Sequence, residues 1–227
     1  MSKRTRGWLC IAMGIVMLCA AGSLHFMNEQ QDKLAGQNST LLLEMMREEI
    51  SYGYGLPTAP SETLAPTTEP TDTPEFDAEP IPELPLEEPP SRPAVPLLEF
   101  NGYSLMGILS APSVDVELPI IGDWNYSLLQ VAPCRYSGSI EDSNLILLGH
   151  NFKSHFDSLK NIAVGDAVEF LSADGILHRY TVAEIELLHK YDVDKLERDE
   201  YALTFFTCTK GGEHRLVIRC VPEMNEE

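Results

Sequence analysis

The chain has 227 residues, 44% of them apolar, with 16 Lys and Arg against 35 Asp and Glu, a formal net charge of −19. Twelve of its 16 prolines fall between Pro57 and Pro96, and so proline-rich a stretch builds no packed core. Residues 97–227 then have the commonest size for a single domain. The acidity is uneven. Residues 1–50 balance five basic and five acidic side chains, residues 51–100 carry one against ten, and residues 101–227 carry ten against twenty. A net-negative domain with no Lys/Arg stripe is repelled by phosphate backbones, which argues against nucleic acid as a partner.

At the N-terminus, Lys3, Arg4 and Arg6 precede an uncharged run over residues 7–27, interrupted only by Ser23 and His25. As a helix this run is about 30 Å long, the thickness of a bilayer's hydrocarbon core. The basic flank predicts a cytoplasmic tail (residues 1–6) and export of everything after the run. The small residues Cys19 to Ser23 offer a rival, a cleavable signal peptide. The run is long for that, and Leu18 is bulky for a lipid-modified Cys19. The expectation is a single-pass anchor in the cell membrane with an extracellular C-terminal domain. Residues 28–55 read as a juxtamembrane helix, polar to amphipathic over residues 30–50 with Leu41–Leu43 and Met45–Met46 as its apolar part; the plainer alternative is a solvated or self-associating helix without chemistry of its own. Residues 56–96 read as an extended acidic Pro/Glu/Thr linker able to reach on the order of 100 Å.

From residue 97 the texture changes to short apolar runs broken by turn residues. Residues 103–109, 145–148, 167–171, 177–187, 202–207 and 216–221 read as strands, with turns at Ser172–Gly175 and Lys210–Glu213 between them. Only residues 156–162 and 194–200 look like short helices. Several short strands at this spacing predict a mainly β fold, a closed or nearly closed barrel with small helical inserts.

Three cysteines fall in the exported part, Cys134, Cys208 and Cys220. Cys208 ends a strongly β-like run and precedes a Gly-Gly turn, so it is rigidly held yet reachable. A cysteine nucleophile needs a nearby cation to favour its thiolate, a proton donor for the leaving amine, and donors for the developing oxyanion. His150 ends another apolar strand and is the stronger histidine; His155, in the following loop, is weaker, and His178 and His189 look like surface positions. Arg215 lies seven residues beyond Cys208, across the Gly-Gly turn, where a hairpin can return it to its partner strand's end. A strand-end histidine can equally be a satisfied rim residue.

The string Thr204-Phe205-Phe206-Thr207-Cys208-Thr209 resembles the T-L-x-T-C signature of sortases, the cysteine transpeptidases of Gram-positive cell surfaces. Gly149-His150-Asn151 resembles their histidine motif, and His214-Arg215-Leu216-Val217 their arginine strand. The order His, Cys, Arg fits, with separations of 58 and seven residues. Leu118-Pro119-Ile120, Tyr136–Ser139 and Val164–Val168 fit as well; Phe205 departs from the usual Leu. The resemblance covers about residues 102–222 and implies an eight-stranded sortase-like barrel.

It further implies that Cys208 attacks the Thr–Gly carbonyl of an L-P-x-T-G-like sorting signal to form a thioacyl intermediate. His150 would serve as acid and then base, and Arg215 would donate to the oxyanion, with Asn151 and Thr207 contacting substrate. The partners would be surface proteins bearing the signal and an amine from a cell-wall precursor or a pilin lysine. The chemistry needs no metal or cofactor. Cys134 and Cys220 would then either pair as a disulfide, leaving Cys208 free, or stay buried thiols. Other readings fit less well. Papain-like peptidases place Cys before His, L,D-transpeptidases need an S-H-G-C-like string, and a zinc site from His150, His155 and Cys208 lacks close-spaced ligand pairs. A stalked adhesin would leave Cys208 inert.

Overall fold

The computed structural model describes residues 3–54, 97–198 and 200–223. The linker expected over residues 56–96 lies outside the described residues, as do residues 1–2 of the expected tail. A single helix, α1 (Lys3–Tyr54), runs through both the expected anchor and the expected juxtamembrane segment.

The strands are β1 (Leu98–Phe100), β2 (Tyr103–Ala111), β3 (Val116–Ile121), β4 (Cys134–Ser137), β5 (Leu145–Gly149), β6 (Ala167–Ser172), β7 (Leu177–His189), β8 (Leu203–Cys208) and β9 (His214–Pro222), with a short helix α2 (Tyr126–Leu129) before β4. Their order is β1-β2-β3-β4-β5-β8-β9-β7-β6, and pairing of β2 with β6 closes β2 to β9 into a barrel of eight strands. The chain therefore forms the expected closed barrel, with β1 as an added edge hairpinned onto β2. Strands β3 and β4 were not among the strands read from the sequence. Pro119 interrupts β3, and proline is tolerated where a strand lacks a neighbour. Here β3 meets β4 only at Ile121↔Cys134, so it behaves as an edge over most of its length.

Alternation along the strands builds two apolar clusters. Leu145, Leu147, Leu203, Phe205 and Ile218 point into the barrel with Phe156 and Phe170. Ile146, Leu148, Phe206 and Val217 belong to a second cluster with Leu129, Ala132, Leu188 and Leu196. The connection from β7 to β8 crosses β9, and Arg219 of β9, fully buried, holds it there. Arg219 donates through Nη1 to Leu196 O (3.0 Å) and through Nη2 to Lys195 O (2.6 Å) and Glu186 Oε2 (3.1 Å).

Helix α1 is amphipathic over residues 35–50, and its apolar face is docked on the barrel rather than solvated. Ala35, Ser39, Leu42, Met46 and Ile50 are buried, and their spacing of four, three, four and four residues puts them on one helix face. Leu42, Met46 and Ile50 join the second cluster beside Ile108 and Ile121, each burial worth about 1.5–3 kcal/mol. Arg47 pairs with Glu117 of β3. Toward the N-terminus Met13, Ile15, Val16, Met17, Leu18, Leu24 and Phe26 are exposed. Among the described residues no helix is long and apolar enough to cross a membrane; the side chains of residues 9–12, inside the expected span, lie outside the described residues.

The Cys134–Cys220 disulfide left open by the sequence is not formed; both are buried free thiols. Strands β5 and β8 lie between β4 and β9. Three strand spacings of about 4.8 Å exceed the roughly 7 Å limit on Cα separation in a disulfide. Burial pushes the Cys134 thiol up to about 12.

If α1 is an integral part of the domain, Met46→Ala lowers the unfolding free energy of the full chain by about 2–5 kcal/mol in urea titrations, as for other buried Met sites. A change within about 0.5 kcal/mol, typical of a solvated surface position, would contradict the docking.

Candidate functional site

Strands β5 and β8 run parallel with Leu145↔Leu203 through Gly149↔Thr207 in register. Continued by one residue, that register sets His150 opposite Cys208. Strand β8 pairs antiparallel with β9, and Cys208 stands directly opposite Arg215. Because side chains alternate along a strand, His150 follows Ile146 and Leu148, Cys208 follows Thr204 and Phe206, and Arg215 precedes Val217 and Arg219, all on the outer face. The three residues singled out in the sequence are thus neighbours at one end of three adjacent strands, each half-buried.

Local sequence explains each placement. Gly149 is needed because a Cβ there would lie 2.4 Å from the Phe156 ring, so glycine lets the phenylalanine close the barrel end beneath His150. The β8–β9 turn uses Gly211 and Gly212 at φ 89° and 73°, a region glycine adopts without strain. Thr209 N–H donates to His214 O at 3.0 Å across it. Arg215 Nη1 donates to Gly212 O at 3.0 Å, which turns its guanidinium toward this hairpin.

Asn151 is half-buried and begins the turn after His150. Thr207 is not brought to the outer face. It alternates with Cys208, is buried, and its Oγ1 lacks a hydrogen-bond partner; a substrate cannot reach its side chain from the side on which Cys208 stands.

Two contacts on His150 were not legible in the sequence. The Gln130 side-chain amide lies 3.2 Å from His150 Nε2, and Phe152 stacks on the imidazole with centroids 4.7 Å apart and planes at 27°. Gln130 belongs to no motif, and only the fold brings it beside the histidine. Burial holds the His150 imidazole below its ordinary range, favouring the neutral ring. His155 is more deeply placed, 2% exposed, with Nδ1 unpartnered and Nε2 3.5 Å from Ser39 Oγ of α1. Desolvation, with a lesser contribution from His150 and partial opposition from the Val131 backbone and then Asp32, holds it down to about 4. Trp124, Tyr136 and Phe206 form an aromatic row from the loop before α2 to β8, with centroids 5.6 and 5.4 Å apart. Among the described residues no three His, Cys, Asp or Glu side chains are grouped to hold a metal ion.

Residues 109–223 match the sortase domain family, half of the chain, and the protein belongs to that family. Its fold is similar to sortase A from Corynebacterium diphtheriae, at 21% identity and a TM-score of 0.49 over 55% of this chain and 63% of that one. It is also similar to Streptococcus agalactiae sortase C1, in a complex with MTSET, at 21% identity and a TM-score of 0.46 over 53% and 70%. A Clostridium perfringens sortase D5 transpeptidase is similar at 17% identity and a TM-score of 0.48 over 53% and 79%. The chain thus spans less than two thirds of the C. diphtheriae protein. No curated protein matches it in sequence.

The buried neutral His155 makes stability pH-dependent. Its pKa is depressed in the fold, so below about pH 6.5 the unfolded chain takes up a proton that the folded chain refuses until about pH 4. Its contribution is complete above pH 6.5 and falls by about 3 kcal/mol on acidification to pH 4. Urea unfolding of wild type and His155→Gln at pH 7 and 4.5 tests this: the wild type loses more stability than the variant, and equal losses would contradict it.

Proposed function

We propose that this chain is a membrane-anchored cysteine transpeptidase that cleaves an L-P-x-T-G-like sorting signal and passes the acyl group to an amine. The observation that carries the reading is the register bringing His150, Cys208 and Arg215 together on one face. Cys208 hands its proton to the neutral His150 as sulfur bonds to the threonine carbonyl carbon. Arg215 donates to the oxyanion, its guanidinium swinging from Gly212 O. The Thr–Gly C–N bond breaks, and His150 returns the proton to the departing glycine amine. An incoming amine then attacks the thioester, its proton passes through His150, and Cys208 leaves as the thiol. A substrate lying extended along β8 reaches, four residues upstream of Cys208 and about 13 Å away, the cleft lined by Ser137, Ser139, Ile146, Tyr201 and Thr204.

The run of exposed apolar side chains on the N-terminal part of α1 supports a single-pass anchor with a cytoplasmic N-terminus and an extracellular barrel. Tethering there would raise the effective concentration of surface proteins bearing the signal and of the cell-wall or pilin amine.

The test uses the full chain, wild type and Cys208→Ala, incubated with L-P-x-T-G-like and N-P-x-T-G-like peptides and a glycine amine and read by intact mass. The wild type forms an adduct with the peptide's N-terminal part and Cys208→Ala forms none. No adduct, together with a Cys208 inert to thiol reagents in the folded chain, would overturn the reading.

A further inference from the structure

We propose that α1 acts as a clamp on His150, with Asp32 and Ser39 as positioning residues that hold the two segments flanking its imidazole. The inference rests on the reading of His150 given above. Ser154, four residues beyond His150, is bound to α1 through both its N–H and its hydroxyl. Its N–H donates to Asp32 Oδ1 at 3.1 Å, and its hydroxyl lies 2.8 Å from the same oxygen and 3.0 Å from Asp32 O. Two turns further along the helix, Ser39 donates to Val131 O at 3.2 Å and approaches His155 Nε2 at 3.5 Å.

Each contact leads to the imidazole by a short path. Val131 follows Gln130, whose amide touches His150 Nε2. Residues 150–157 form a self-bonded turn: Phe156 N–H donates to His150 O at 3.1 Å, and His155 and Asp157 N–H both donate to Phe152 O at 3.0 Å. A shift of Ser154 therefore moves both the His150 backbone and the Phe152 ring stacked on it. The helix does not need these polar contacts to dock, because Leu42, Met46 and Ile50 supply an apolar seam. That division separates positioning from folding. Asp32 and Ser39 lie N-terminal to the seam, on the part of α1 nearest the exposed apolar run, so the element that would tether the chain also fixes the histidine.

The experiment compares full-length wild type, Asp32→Ala, Ser39→Ala, His150→Ala and, as control, Arg47→Ala, which severs the ion pair to β3 and touches neither flanking segment. Each is checked for folding by circular dichroism and thermal melting. Two readouts follow: the rate of Cys208 alkylation by iodoacetamide against pH, resolved by peptide mass analysis, and kcat and KM for the cleaved peptide. Asp32→Ala and Ser39→Ala lower kcat about tenfold with KM within about twofold, and displace the Cys208 alkylation profile toward that of His150→Ala. Arg47→Ala matches wild type in both. Folded Asp32→Ala and Ser39→Ala proteins with the wild-type profile and wild-type kcat would overturn the clamp. An alkylation profile unchanged in His150→Ala would instead overturn the reading of the site on which the clamp depends.

Discussion

Parallel pairing of β5 with β8 fixes both how the barrel closes and where His150 stands. Parallel neighbours cannot be joined by a tight turn and need a long crossover. Here the crossover, residues 150–202, carries β6 and β7, and β6 pairs with β2 to close the barrel. Closing the barrel and bringing His150 to Cys208 are therefore one topological event. The register matters as much as the neighbourhood. A one-residue slip of β5 against β8 would send Ile146 and Leu148 inward and turn His150 to the opposite face. The inner residues Leu145, Leu147, Leu203 and Phe205, all fully buried, make such a slip costly, so core packing holds the candidate triad in line.

A second consequence concerns the N-terminal helix. A stalk over residues 56–96 would hold the barrel far from a membrane if α1 were free. With residues 35–50 seated on the barrel, the helix itself ties the domain to whatever its N-terminal half occupies. The apolar side chains from Met13 to Phe26 and the seam from Leu42 to Ile50 lie on one continuous helix, so under the proposed anchoring α1, and not the reach of residues 56–96, would set the barrel's distance from a membrane.

Legibility in the sequence followed the range of the interactions. The β8–β9 hairpin could be read locally, since an apolar run, a Gly-Gly turn and a second apolar run place Arg215 opposite Cys208 without further information. His150 lies 58 residues from Cys208, and its strand-end position carried only a suggestion until motif order added to it. Strand β4 was missed because Cys134 follows Pro133 and the strand spans only four residues. The burial of Arg219 ran against what charged residues usually do; the carbonyls of Lys195 and Leu196 that accept from it could not be foreseen. Thr207 enters only through the family resemblance, and strand alternation turns its side chain to the face opposite Cys208. The seam on α1 was written at helical spacing, but the crowded Leu41–Leu43 and Met45–Met46 hid which face was buried, and nothing local named the barrel as its partner.

A short bifunctional alkylator reports whether β-sheet register holds His150 and Cys208 side by side in the folded chain. 1,3-Dibromoacetone can join a thiolate to an imidazole nitrogen only when the two groups are neighbours. Applied to the native full chain and mapped by peptide mass analysis, it is predicted to link Cys208 to His150 in one bridge that is lost in unfolded protein. Attachment at Cys208 without any link to His150 would contradict the account.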